Sequence, residues 1–376
     1  MNKKLLIFTH SASGHHPEYL HHLYTGIEER FELEAVFVVP EYFQKRKSLF
    51  EWPICERISF DYMPDELVSW GDGKWYKRNY RFAKLVRNYT QKHHPDEVFM
   101  LDPMMYMPYL AFMMPNGIKY SGILYGIYTY RWEELSYPRR FAELLWHWLL
   151  ARKECFKNIF VLNDTDSAQY FNRVYHTKHF QFLPDPIQSI PNQKEDFRKK
   201  FKIRNERKIL LHFGSFGKKK GTLEILRSAL SLSNDEQENY CFVFAGCVQD
   251  AIKEEFYRLK NEVDDTKIQC FVFDEFCSYQ FIADWCRVSD AILVPYLLAY
   301  NSSGCIGYAA QCNKPVIGPS YGLLGKLIRK YELGIVMDKI TPLTLSNAYK
   351  NISLYHCDGK AYIKDNSILE FQKVIL

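Results

Sequence analysis

The sequence predicts an α/β protein built from two doubly wound parallel-sheet domains. Short apolar runs alternate with amphipathic ones along most of the chain, the pattern of strands and covering helices. That alternation breaks once, at FLPDPIQSIPNQ (Phe182–Gln193), and then restarts. The length of 376 residues agrees, since a domain usually takes about 100–200 residues.

The elements follow in order. LLIFT (Leu5–Thr9) is an uninterrupted apolar run bounded by polar residues, which suits a buried strand. Pro17–Arg30 reads as a helix, with proline in its first turn and Leu20, Leu23 and Ile27 at helical spacing. LEAVFVV (Leu33–Val39), EVFML (Glu97–Leu101), GILYGI (Gly122–Ile127) and IFVLN (Ile159–Asn163) continue the strand series. Pro184, Pro186 and Pro191 then interrupt regular structure, which marks an interdomain linker near Asp185. A second series runs through KILLHF (Lys208–Phe213), CFVFAG (Cys241–Gly246), IQCFVF (Ile268–Phe273), AILVPY (Ala291–Tyr296) and PVIG (Pro315–Gly318). The expected domains are thus 1–185 and, from 186 onward, a second one, both Rossmann-like.

Composition narrows the class without choosing a partner. The apolar share of 47% and charged share of 25% are ordinary for a globular protein, which argues against extensive disorder. A net charge of +5 is mild at this size, and no nucleic-acid-binding motif is present. The 27 Tyr and 27 Phe reflect either biased codon usage or a surface for sugars and lipid headgroups. The N-terminus lacks an export signal, and no run of about 20 apolar residues could span a membrane. LLWHWLLA, around Trp148, reads as a buried or interfacial helix. Ten cysteines without a C-x-x-C pair argue against a zinc site or a disulfide framework and suit a cytoplasmic protein. Between Gln44 and Tyr89, KRKSLFEW and WGDGKWYKRNYRFAKLVRNY mix cations with aromatics. Such a helix either lies on a membrane surface or is an ordinary surface helix with its aromatics turned inward.

In a doubly wound sheet, ligands bind beyond the carboxyl ends of the strands, so the loops there carry the candidates. HSASGHHPEYL (His10–Leu20) follows the first strand and opens a helix. Gly14 and its small neighbours allow close backbone approach, and the helix start favours an anion. His15 and His16 could serve as a base or hydrogen-bond a sugar hydroxyl; the plain alternative is a capping loop with solvated histidines. GSFGKKKGTLEIL (Gly214–Leu226) follows KILLHF. Its glycines expose N–H groups and its lysines supply mobile charge, which suits a phosphate, although it does not match a P-loop. After AILVPY, Asn301, Ser302, Ser303 and Gly304 precede the helical IGYAAQCN, another bare helix start. PSYGLLGKLI then opens a further helix. The D-x-D at Asp164–Asp166 resembles a metal-holding pattern, but after IFVLN it is better explained as a helix cap and first-turn acid.

Taken in order, GSFGKKKG, CFVFAG, FVFDEF, SDAILVPY, NSSGCIGYAAQCNKPVIG and LGIVMD resemble the donor-binding domain of GT-B glycosyltransferases, particularly family 4. The first half matches more loosely, through its strand–SASGHH–helix start. The last segment resembles the terminal helix that crosses back onto the first domain. The resemblance implies a donor domain over 186–359, a crossing helix over 360–376, and two Rossmann-like domains facing a cleft. It also implies donor contacts from Gly14, Gly214, Ser215, Lys219, Lys220, Asn301, Ser302, Ser303 and Gly304, with Glu275 and Phe276 near the base. The acceptor would lie near His15, His16, Tyr128 and Arg131. No cofactor and no metal are expected, because lysines and helix dipoles can neutralise a departing diphosphate.

One departure from the family stands out. Between Asp290 and Glu332 the chain has no Asp or Glu. Family 4 enzymes usually carry two glutamates there, with seven residues between them, and those slots fall on Tyr300 and Tyr308. The expected function is transfer of a hexosyl group from a nucleotide sugar to a glycan or lipid-linked acceptor in cell-surface polysaccharide synthesis. The site would be cytoplasmic, at the inner face of the membrane, and the reaction retaining. A sugar-nucleotide epimerase on the same fold and a degenerate, non-catalytic sugar-nucleotide binder are the alternatives.

Overall fold

The computed structural model describes residues 2–69 and 74–376. Trp70–Gly73, part of the cationic and aromatic stretch, lie outside the described residues. The chain forms two compact units. One comprises Met1–Pro186 with Ser367–Leu376, the other Ile187–Asn366.

The first unit is built on a seven-stranded sheet in the order β3-β2-β1-β4-β5-β6-β7. Its strands are β1 (Lys3–Phe8), β2 (Leu33–Pro40), β3 (Ile58–Met63), β4 (Glu97–Met100), β5 (Lys119–Leu124), β6 (Phe156–Leu162) and β7 (Phe180–Leu183). All pairings are parallel. The sequence missed β3 and β7, both edge strands. β3 carries Asp61 in mid-strand, where it accepts from Lys92 and His93. β7 ends at Leu183, immediately before Pro184, so the first residues of the expected linker belong to a strand. Helix α1 (His16–Glu28) places Tyr19, Leu20, Leu23 and Ile27 in the core under β1 and β2.

The second unit has a six-stranded parallel sheet in the order β10-β9-β8-β11-β12-β13. Its strands are β8 (Lys208–Phe213), β9 (Tyr240–Ala245), β10 (Gln269–Phe273), β11 (Ala291–Leu293), β12 (Val316–Pro319) and β13 (Gly334–Met337). β11 stops at Leu293, three residues short of the expected end. Pro295 has no N–H to give to a ladder, so Val294–Tyr296 turns into the loop.

The chain returns to the first unit later than expected. The short helix Lys360–Asp365 stays with the second unit, where Tyr331 donates to Asp365. Only the terminal helix Ile368–Ile375 joins the first. There Phe371 stacks on Tyr19 at 5.5 Å, and Gln372 donates to the carbonyl of His22 at 2.7 Å. All ten cysteines are unpaired. Among the described residues, no helix is long and apolar enough to cross a membrane.

Candidate functional site

Both sheets have one switch point, where successive connections leave in opposite directions. In the second unit it falls between β8 and β11, and the loops after these two strands meet there. The turn Lys218–Lys220 follows β8, and the carbonyl of Lys219 accepts from the N–H groups of Leu297 (2.9 Å) and Leu298 (3.3 Å). The two loops are therefore one hydrogen-bonded assembly. Gly214 has φ +103°, and a Cβ built on it would lie 3.5 Å from Lys220 Nζ. The ammonium thus hangs beside bare backbone, 5.2 Å from the centre of the Tyr296 ring. Gly246 makes this possible: its φ is +148°, and any Cβ would come within 1.8 Å of the Gly214 carbonyl oxygen. Ser215 Oγ accepts from Gln249. Behind the loop, buried His212 donates from Nδ1 to the Leu293 carbonyl and pairs with Thr222 through Nε2. Burial drives its pKa down to about 3, so it is a neutral strut.

The carboxylate-free stretch supplies the other side. Helix α2 (Gly304–Gln311) starts at Gly304, with Ser303 as its N-cap residue. The Ser303 hydroxyl is buried, 3.1 Å from Tyr296 Oη. Tyr308, one of the two glutamate slots, packs edge-on against Phe213 at 5.3 Å, at the end of β8. Asn301 is exposed, and Tyr300 and Ser302 are half-buried beside the helix start. Glu275 and Phe276 are exposed in the loop after β10, two strands away from β8. The neighbouring acid, Asp274, braces backbone instead: it accepts from Val248 N–H at 2.8 Å and from Tyr257 at 2.9 Å.

In the first unit the switch point lies between β1 and β4. Gly14 takes φ +61° and turns the chain into α1. His15 is exposed and pairs with Glu18 at 3.0 Å. His16 is half-buried and differs in kind. Its Nδ1 lies 3.0 Å from the Ser11 carbonyl, which can only accept, so Nδ1 holds the proton and Nε2 is the ring's acceptor. Thr9 Oγ1 is 2.7 Å from the same nitrogen. The ring stacks on Tyr125 at 5.8 Å. Burial lowers the His16 pKa to about 4, so the ring is neutral and weakly basic. Two neighbours went unnoticed in the sequence. His10 is buried, stacked on Phe82 at 4.9 Å and bonded to Tyr106. Asp102 directly follows the run read as a strand; burial raises its carboxyl to about 7, against the backbone N–H groups of Met104 and Met105. A carboxylate just past a central strand was the available signal.

Tyr128 and Arg131 were the other residues expected near the acceptor. Tyr128 is a core residue: its ring stacks on Phe171 at 5.4 Å and its hydroxyl meets Tyr175. Arg131 is drawn inward by the buried Glu143 at 2.7 Å. Both border a pocket of about 910 Å³ that is also lined by Trp132, Glu134, Leu144 and Tyr170. Asp164 is the N-cap residue of helix Thr165–Tyr175, but its carboxylate accepts from the Tyr130 and Ser167 hydroxyls rather than from backbone. Among the described residues, no group of three His, Cys, Asp or Glu is placed to hold a metal.

Residues 193–352 match the family model described as glycosyl transferases group 1. That match spans both loops of the β8/β11 switch point. The second unit carries a glycosyltransferase group 1 domain. No curated protein sequence matches the chain. Among solved structures, HepE from Anabaena in complex with UDP and glucose superposes with a TM-score of 0.69 at 13% identity, covering 100% of this chain and 98% of that one. WaaG, a glycosyltransferase involved in lipopolysaccharide biosynthesis, gives 0.66 at 15% identity, covering 98% and 94%. The UDP-GlcNAc 2-epimerase from Neisseria meningitidis bound to UDP-GlcNAc gives 0.64 at 14%, covering 100% and 98%. The fold of this chain is therefore GT-B, with two Rossmann-like domains.

Proposed function

We propose that the chain transfers a hexosyl group from a nucleotide sugar to a glycan or lipid-linked acceptor, without a metal and with retention, at the inner face of a membrane during surface-polysaccharide synthesis. The observation that carries this reading is the joined pair of loops at the β8/β11 switch point, with Lys220 beside Gly214 and the start of α2 in the adjoining loop. An ammonium, bare backbone and a helix N-terminus suit a diphosphate, and together they can offset the charge that builds as it leaves. The stretch without carboxylates keeps opposing charge away from it.

A retaining route asks for no protein base, which suits a loop after β11 that carries no carboxylate. In the retaining route the bond from the anomeric carbon to the diphosphate breaks, and its electrons stay on the phosphate oxygen. The acceptor hydroxyl forms the new bond on the same face and gives its proton to that oxygen, so no strong protein base is required. His16 would then orient the acceptor hydroxyl through Nε2.

Epimerase neighbours keep a second reading open, in which the donor alone is converted. A thermal-shift panel of nucleotide sugars, followed by turnover with and without saccharide acceptors, separates the cases. Transfer with retained anomeric configuration supports the proposal. Epimerisation without acceptor supports the second reading, and stabilisation with no turnover of any kind would leave only a binder.

A further inference from the structure

We infer that the outer face of the first unit formed by helices Trp75–His93 and Tyr137–Arg152 is a docking surface for an anionic lipid bilayer. For its purpose this rests on the membrane-borne acceptor proposed above; its evidence is separate.

In Tyr137–Arg152 the inward side is ordinary: Trp146, His147, Leu149 and Leu150 are buried. The outward side should be polar in a helix that faces only water. Instead it carries Tyr137 (84% exposed), Phe141 (68%), Leu144 (40%) and Trp148 (47%). Their spacing of four, three and four residues sets them in one stripe, about 16 Å long at 1.5 Å per residue. Helix Trp75–His93 adds exposed Trp75, Tyr76 and Tyr80. The two helices touch through Trp75 and Trp146, whose rings are 5.7 Å apart.

Charge identifies the occupant. Together the two helices hold nine Lys and Arg and one carboxylate, Glu143, which is buried against Arg131 and Arg139. Lys77, Lys84 and Arg87 are exposed. Arg139 lies over Trp146 at 4.7 Å, and Arg140 lies between Trp132 and Tyr137. An apolar stripe rich in Trp and Tyr, bordered by cations, matches the headgroup boundary of an anionic membrane. A second copy fits less well, because a two-fold contact would set these cationic helices against each other.

The test is flotation of the full chain with vesicles of phosphatidylcholine alone, or with about one-third phosphatidylglycerol. The expected result is binding to the anionic vesicles, at least tenfold weaker on neutral ones. Phe141→Ser with Trp148→Ser should lower vesicle binding at least tenfold, and so should Lys77→Glu with Lys84→Glu, which alters only exposed lysines and guards against a folding defect in the first pair. Nucleotide-sugar binding by thermal shift should be unchanged in both, so loss of docking and loss of the proposed activity are read apart. Equal vesicle binding by parent and variants would overturn the inference. So would absence of vesicle binding, or a dimer in sedimentation equilibrium that Phe141→Ser with Trp148→Ser dissolves.

Discussion

Replacing Lys220 by alanine tests the phosphate cradle most directly. The Lys220 ammonium lies beside Gly214, with the Tyr296 ring 5.2 Å away. Two unit charges about 4 Å apart at an effective dielectric of about 20 attract by about 4 kcal/mol. Lys220 is half-buried, so water screens part of this, and about 1.4–2 kcal/mol should survive as net binding. Lys220→Ala should therefore weaken nucleoside diphosphate binding about 10- to 30-fold. Lys219→Ala is the control. Its side chain is exposed and its structural contribution is a carbonyl, which alanine keeps, so affinity should change less than about threefold. Isothermal titration calorimetry with uridine, guanosine and adenosine diphosphates reads both variants. Lys220→Ala binding the preferred nucleotide within twofold of the parent, with unchanged melting temperature, would refute the assigned role.

Three further outcomes follow from the same geometry. His16→Ala should slow transfer at least tenfold with nucleotide affinity intact; since His16 titrates near 4, the pH–rate profile should show no inflection from it around neutrality. Gly246→Ala should displace the Gly214 carbonyl, lowering the melting temperature by several degrees and weakening nucleotide binding, as differential scanning calorimetry and titration would show. Acid should destabilise the fold through His10 and His212, whose folded pKa values near 3 lie below the ordinary 6.5. Groups held neutral in this way leave stability intact above 6.5, and it is lost as pH falls from 6.5 toward 3, at about 1.4 kcal/mol per pH unit for each. Guanidinium melts between neutrality and mild acid measure that slope.

Apolar patterning alone determined the two parallel sheets, because strands covered on both faces must be mostly apolar along their length, as LLIFT, KILLHF and CFVFAG are. Glycines and lysines after a strand were equally legible as a candidate phosphate loop, since their chemistry is local. Edge strands β3 and β7 escaped notice because half-exposed strands tolerate residues such as Asp61. Only the tertiary structure decided which candidates act together. Neither the Lys219 carbonyl's hold on the loop after β11 nor the clearance beside Gly246 is visible from spacing. It also decided direction. Tyr128 and Ser303 carry the right groups but turn them into the core, where burial requires a hydrogen-bond partner, whereas Tyr137, Phe141 and Trp148 turn outward from a helix whose other side already fills the core. Residue type sets what a side chain can do, and packing sets which way it faces.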